Sequence, residues 1–374
     1  MKPKTMRKIK VGVDIRDLRI ARTGARTFLE AVCNEFKKGH EGFEFHFIDT
    51  MLPVYTGKNK LLKIIEQLRF IAYKQLYLPL VALIKGCDIV FCTDFFVPVI
   101  KLGYQTIPVF HDAFFWQYPA HYNKYWLYTF NKLGVKAAKK AAYIITPTLH
   151  AKHTILTYLD IDPGKIAPVQ EAPKNMDNCF STAPPVNLIK GNYFLHVGVF
   201  EKRKNLVRLV EAYSMLKAEG FDHKLVLCGQ FSPKSDMDDS RQVLEIVKKN
   251  GLENDVIMPG YVQDGDLAAY YENAFAYVFP SVNEGFGLPV LEAFRYKVPV
   301  IIADNSSLPE VGGDAVLSFD PLNVEDIANK MRVVMNDHVL RKEMIAKGTE
   351  RLREFSWEIT TERILGLFKT ASEY

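Results

Sequence analysis

Cysteine is scarce in this 374-residue chain, and no long apolar run is present. The five cysteines, Cys33, Cys87, Cys92, Cys179 and Cys228, are scattered, with no CxxC pair and no histidine cluster at zinc spacing. That pattern excludes a disulfide framework or a zinc ribbon and points to a reduced, cytoplasmic protein. The apolar stretch Gln75 to Ile84 is broken by Pro79 and is about half the length of a membrane span. The opening MKPKTMRKIKVGVDI begins with basic residues, but its apolar run is short and ends in Asp14, so it reads as a basic tail entering a strand rather than an export signal. Low-complexity tracts and internal repeats are missing too, which excludes solenoids and disordered linker proteins.

What is present is the composition of a folded protein. An apolar share of 48% is ordinary for a globular chain, and the length suggests two domains of roughly 180 residues each. Charge is uneven: residues 1–190 carry 27 Lys and Arg against 15 Asp and Glu, whereas residues 191–374 carry 21 against 28. The basic surplus therefore lies wholly in the first half.

Short apolar runs ending in polar or glycine residues, each followed by a helical pattern, recur along the chain. Lys8–Ile15 reads as a first strand, Arg19–Thr27 as a loop holding Gly24, and Thr27–Phe36 as a helix. Runs at 88–92 and 106–110 end in Thr93 and Asp94, and in His111 and Asp112; ligands collect outside the carboxyl ends of such strands. Ahead of both runs, Lys58–Leu76 places Leu61, Ile64, Ile65, Leu68, Ile71 and Ala72 on one helical face among lysines and Arg69. Two readings fit: a helix packed on the core, or a basic amphipathic helix lying on an anionic membrane surface. The aromatic run Phe114, Phe115, Trp116 and Tyr118 is either a platform for sugar rings or packing. Pro184, Pro185 and few apolar residues mark 177–187 as a linker.

In the second half, Tyr193–Val199 reads as a strand, GVFEKRKN as a loop and Leu206–Leu216 as a helix, with Asn205 as its N-cap. Lys204 and Arg203 then precede a helix N-terminus. A second such place is Pro280–Glu292, PSVNEGFGLPVLE, where a buried-strand run meets a glycine-bearing loop and Pro289 suits the first turn of a helix. Free N–H groups and the helix dipole there attract an anion, and Gly285 and Gly287 let the backbone approach it. A phosphate-bearing ligand fits both places.

The stretch EGFGLPVLE resembles the Glu-x7-Glu signature of the retaining glycosyltransferases of family 4. GVFEKRKN matches that family's G-x-x-E-x-R-K-N loop, and VFHDAFFWQYP its His-Asp segment; together with VGVDIRDL, the last resembles the mannosyltransferase-like branch. The resemblance implies an α/β fold of GT-B type, two facing Rossmann-like doubly wound domains with a cleft between them. Residues 1–183 would form the acceptor-side domain, joined by a C-terminal helix 358–374, and 184–357 the donor-binding domain. It implies a retaining hexosyltransferase, with Glu284, His111 and Lys204 as catalytic residues. Gly198, Arg203, Lys204, Glu284, Gly285, Phe286, Gly287, Leu288 and Glu292 would bind the donor, with Glu292 in the first helical turn anchoring a ribose. Gly24 and Asp112 would lie on the acceptor side. Arg26 stands where relatives often have a second glycine, and Lys297 where they have a helix-closing one, so a local backbone change is expected at Lys297.

The implied partners are a nucleotide-sugar donor, GDP-mannose in this branch, and a glycan or lipid-linked glycan acceptor of cell-surface polysaccharide synthesis, with peripheral attachment to an anionic inner membrane face and no nucleic acid. Neither cofactor nor metal is expected: Asp238 and Asp239 fall in a loop, and Lys204, Arg203 and the N–H groups near Gly287 suit a departing diphosphate. A UDP-sugar-dependent glucosyl- or N-acetylglucosaminyltransferase of the same fold, and a non-catalytic sugar-nucleotide-binding protein, stay open.

Overall fold

The computed structural model describes residues 7–21, 24–50, 52–57, 59–174, 176, 192–231 and 237–373. The chain divides into two compact units, Met1–Glu171 with Ser356–Tyr374, and Ala172–Phe355. The linker expected at 177–187, with the boundary between 183 and 184, lies outside the described residues.

In the first unit, β1 (Ile9–Asp14), β2 (Phe43–Ile48), β3 (Ile89–Cys92) and β4 (Gln105–Pro108) form a parallel sheet in the order β2-β1-β3-β4. A parallel pair, β5 (Ile144–Thr146) and β6 (Ile166–Pro168), extends it through a bridge between Val109 and Ile145. Continuous apolar strands such as Ile89–Cys92 need cover on both faces. Phe28, Leu29, Val32 and Phe36 of the helix Gly24–Lys37, with Ile364, Leu365 and Phe368 of the helix Trp357–Ser372, pack on one face. Tyr73, Leu78 and Ala82 pack on the other. The helix thus begins at Gly24, earlier than the sequence pattern suggests, and Arg26 sits on it, paired with Glu30 at 2.7 Å.

The strand order reverses direction between β1 and β3, and a buried ion cluster sits at their carboxyl ends. Lys74 Nζ lies 2.5 Å from Asp14 Oδ2 and 2.6 Å from Asp94 Oδ1, and the Tyr73 hydroxyl donates to Asp14 at 2.7 Å. Asp14, Cys92 and Asp94 converge as cation ligands would, and the Lys74 ammonium is the cation among them. Tyr73 and Lys74 both reach inward because Tyr73–Tyr77 is a π turn between the helices Lys60–Ala72 and Leu78–Lys85.

The first of those helices is inverted relative to a core helix. Glu66 is its buried residue, paired with Arg16 at 2.5 Å and Arg69 at 2.9 Å, while Leu61 (65% exposed), Ile64 (54%) and Leu68 (61%) face outward. The core-packing reading of this stripe fails, because the inward face is taken by the Arg16–Glu66 pair. Phe115 and Trp116 settle instead into an aromatic cluster: Phe115 lies 4.4 Å from Trp126 and 4.9 Å from Phe130, and Trp116 lies 5.0 Å from Phe130.

In the second unit, the described residues give a six-stranded parallel sheet. It comprises β7 (Tyr193–Val197), β8 (Lys224–Cys228), β9 (Val256–Gly260), β10 (Ala276–Phe279), β11 (Val300–Ala303) and β12 (Val316–Phe319), ordered β12-β11-β10-β7-β8-β9. This is the doubly wound order of a dinucleotide-binding fold, with its switch point between β7 and β10.

Lys297, between the helix Leu288–Arg295 and β11, has φ +57°, the left-handed geometry a glycine would adopt. The backbone path is therefore kept and the lysine bears the strain, contrary to the expected local change. Lys297→Gly is expected to stabilise the protein by about 1 kcal/mol in urea denaturation.

Candidate anion and sugar site at the second switch point

Sheet order alone brings the two sequence-distant loops together. The loop after β7 carries Gly198 and the 3-10 turn Lys202–Lys204; the loop after β10 carries Glu284 to Gly287 and feeds the helix Leu288–Arg295. A backbone bond from Val282 N–H to the Arg203 carbonyl, 2.8 Å, joins them. Asn205 is not the expected side-chain N-cap. It sits at φ +59°, and its Nδ2 donates to the carbonyls of Pro280 (3.1 Å) and Pro321 (2.7 Å), tying the loops after β7, β10 and β12 into one body. Asparagine tolerates the left-handed region, which frees its amide for this bridge.

The charged groups of the two loops meet on one oxygen. Lys204 Nζ is 2.6 Å and Arg203 Nη1 2.9 Å from Glu284 Oε1, and Arg203 Nε is 2.8 Å from Glu201 Oε2. Burial would raise the Glu284 pKa, but Arg203 and Lys204, with the Ser281 hydroxyl, pull it down from 4.5 to about 2. Burial acts on Lys204 as well, lowering its pKa against the support of Glu284. Its ammonium also lies 4.9 Å over the Phe279 ring. Gly198 is tight against this lysine: a Cβ there would come within 3.4 Å of Lys204 Cε and 3.1 Å of His196 Nε2. His196, buried in β7, donates from Nδ1 to the Val278 carbonyl, and burial lowers its pKa to about 3, so it adds no charge.

Behind the carboxylate, the loop is held open by serines that the sequence reading missed. Ser307 Oγ donates to the carbonyls of Glu284 (3.0 Å) and Phe286 (2.7 Å), and Glu284 N–H donates to Ser306 Oγ at 3.2 Å. These hydroxyls lie in NSSLPE, where a serine pair ahead of a helix was the available signal. Gly287 has φ +117°, a backbone conformation that side-chain-bearing residues rarely adopt, and a Cβ there would press on Leu308 at 2.9 Å. Gly285 is half-buried beside Glu284, Phe286 is buried, and Leu288 starts the helix with Pro289 next, as the pattern suggested. Glu292 is the helix's fifth residue and so lies in its second turn, not its first. The Tyr271 hydroxyl donates to its Oε2 at 2.9 Å, and burial raises its pKa. Tyr271, which orients this carboxylate, had no sequence signal beyond its place in a helix.

The remaining candidates belong to the first unit. His111 Nδ1 lies 3.0 Å from Glu171 Oε1, while Asp112 Oδ1 accepts from Phe114 N–H at 2.9 Å at the head of a short helix. Gly24 opens the helix Gly24–Lys37. Lys204, Arg203, Glu284, Gly198 and the Gly285–Leu288 turn thus form one constellation, with Glu292 on the helix that follows.

The depressed pKa of Glu284 has a pH signature. Its carboxylate contributes stability that is full above 4.5 and is lost as pH falls toward about 2. In Glu284→Gln that portion of the acid-side stability loss is expected to vanish, measured as the difference between the two proteins' urea midpoints across this window.

Known proteins bear on the same residues. The family described as Glycosyl transferases group 1 matches residues 182–351, which contain the whole constellation. O-antigen chain mannosyltransferase B of Escherichia coli is 29% identical over 272 residues, 71% of this chain and 70% of that protein. The serotype-specific mannosyltransferase WbdA of Escherichia coli is 28% identical over 299 residues, 73% of this chain but 36% of that longer protein. Sucrose-phosphate synthase from Thermosynechococcus elongatus superposes with a TM-score of 0.70 at 18% identity, over 97% of this chain and 99% of that one, a likeness of fold. The described residues thus give two doubly wound units of GT-B type, and the segment that matches the group 1 glycosyltransferase family, 182–351, carries the clustered Arg203, Lys204 and Glu284.

Proposed function

We propose that the protein transfers mannose from GDP-mannose, with retention of anomeric configuration, to a glycan or lipid-linked glycan of cell-surface polysaccharide synthesis. The observation that carries the reading is the pairing of Lys204 and Arg203 on Glu284 beside the N-terminus of the helix Leu288–Arg295. A sugar leaving-group diphosphate needs positive charge as the anomeric bond breaks. Here two cations and the helix N-terminus offer it without a metal ion, and Glu284, released from the cations when the diphosphate takes them, turns to the sugar hydroxyls. Glu292, held by Tyr271, is the ribose anchor. His111 meets the donor sugar, and Gly24 and Asp112 lie on the acceptor side. The mannosyl choice leans on the names of the relatives.

Two experiments test this. In a thermal-shift panel of nucleotide sugars, GDP-mannose at a hundred times its dissociation constant should stabilise by about 2.7 kcal/mol. A shift with UDP-sugars and none with GDP-mannose would overturn the donor assignment. In transfer assays, Glu284→Gln and Lys204→Gln should each lower turnover at least about a thousandfold, while a chelator leaves the wild-type rate unchanged and NMR of the product shows the donor's anomeric configuration.

The outward leucines and isoleucines of Lys60–Ala72, continued by Leu76 (70% exposed) and Ile84 (73%), support peripheral attachment to an anionic membrane face. Among the described residues no helix is long and apolar enough to cross a membrane. Flotation with vesicles containing anionic phospholipid should carry the wild type and, at least about tenfold less, Ile64→Glu/Leu68→Glu, since each leucine-sized side chain buried contributes about 1.5–3 kcal/mol. Equal flotation of both proteins would refute this surface.

A further inference from the structure

We propose that Glu171 is a positioning residue for His111. It holds the imidazole in the tautomer and orientation that turn Nε2 toward the ligand side of the first sheet. The proposal rests on the reading that His111 acts in sugar transfer.

His111 follows β4 and Glu171 follows β6, so the pair is assembled from the carboxyl ends of two strands, the edge where ligands collect in open α/β sheets. Glu171 is 4% exposed, and a carboxylate so enclosed is costly unless it is paired. His111 Nδ1, 3.0 Å from Oε1, is its partner. A carboxylate can only accept, so Nδ1 carries the proton and donates. Nε2 is buried and, among the described residues, has no hydrogen-bond partner. The ring is fixed from the side by Phe28, edge-on at 5.3 Å, which in turn meets Trp357 at 5.9 Å. One nitrogen is therefore anchored and the ring plane is held, while the other nitrogen is unbonded among the described residues.

The charged groups around the ring agree with this division. Burial opposes the imidazolium, but the bond and charge of Glu171, with Asp112 and the Thr93 carbonyl, outweigh it and raise the His111 pKa. Asp17 also senses the His111 charge. A proton is thus retained on Nε2 to higher pH than on a free histidine, which suits donation to an oxygen of the sugar substrate. A histidine whose second nitrogen is oriented by a carboxylate is a recurrent device, and removing the carboxylate typically costs ten- to a hundredfold.

Nitrogen-15 NMR of the full chain tests the pair directly. In the wild type, the neutral ring should carry its proton on Nδ1 and titrate above the ordinary histidine range; a proton on Nε2 in the neutral form would overturn the proposal without recourse to a variant. In Glu171→Gln the titration midpoint should fall, and kcat/KM for transfer should drop about ten- to a hundredfold, with the pH profile moving in the same direction. In a His111→Ala background, Glu171→Gln should cost little more. An equal cost there, or an unmoved His111 midpoint in Glu171→Gln, would show that Glu171 serves only the fold. Normal turnover of His111→Ala would instead overturn the reading of His111 itself, whatever the titration shows.

Discussion

A single carboxylate oxygen, Glu284 Oε1, is shared by Lys204 and Arg203, and the second unit is built to bring these groups together. They are 80 and 81 positions apart in sequence and come from different loops. Only the reversal of strand order between β7 and β10 makes those loops neighbours. The Val282 to Arg203 backbone bond, the Asn205 bridge and the Ser307 hydroxyl then hold them with little freedom, so the charges are in place before any ligand arrives. Such a cluster is expensive to bury and inexpensive to open to an anion. A buried cation released from its carboxylate would be left uncompensated, whereas one handed to a diphosphate is not.

How far the sequence foretold this differs between local and non-local features. The strand-loop-helix units were legible because each leaves a short apolar run, a Gly or Pro and a 3.6-residue period. The glycine-bearing loop at Gly285 and Gly287, with Pro289 in the first turn of the helix after it, was legible for the same reason. Contacts that depend on strand order were not. Nothing in GVFEKRKN says that Lys204 pairs with Glu284, and the resemblance to a family supplied roles for both without that bond. Asn205 shows the failure most clearly: asparagine before an apolar-periodic run reads as an N-cap, yet its left-handed backbone and the proximity of Pro280 and Pro321 give its amide a better use.

The stripe in Lys60–Ala72 illustrates a second limit. Periodicity reports which residues share a face, not which way the face points. In most helices the apolar face meets the core, but here Arg16 stands opposite and demands Glu66, so the direction is decided by one ion pair and the leucines are turned outward. The π turn that follows reverses the assignment within a few residues, bringing Tyr73 and Lys74 inward to Asp14 and Asp94.

Both switch points set a lysine against carboxylate at the carboxyl ends of parallel strands, in different surroundings. In the first unit one buried ammonium serves Asp14 and Asp94, with Asp17 near enough to feel it, and burial raises the Asp94 pKa to about 7. In the second unit two cations serve one oxygen of Glu284, Arg203 also meets Glu201, and a helix N-terminus adds partial positive charge, so the place suits a group that accepts hydrogen bonds. A phosphate-bearing ligand, with acceptor oxygens alone, matches the second arrangement.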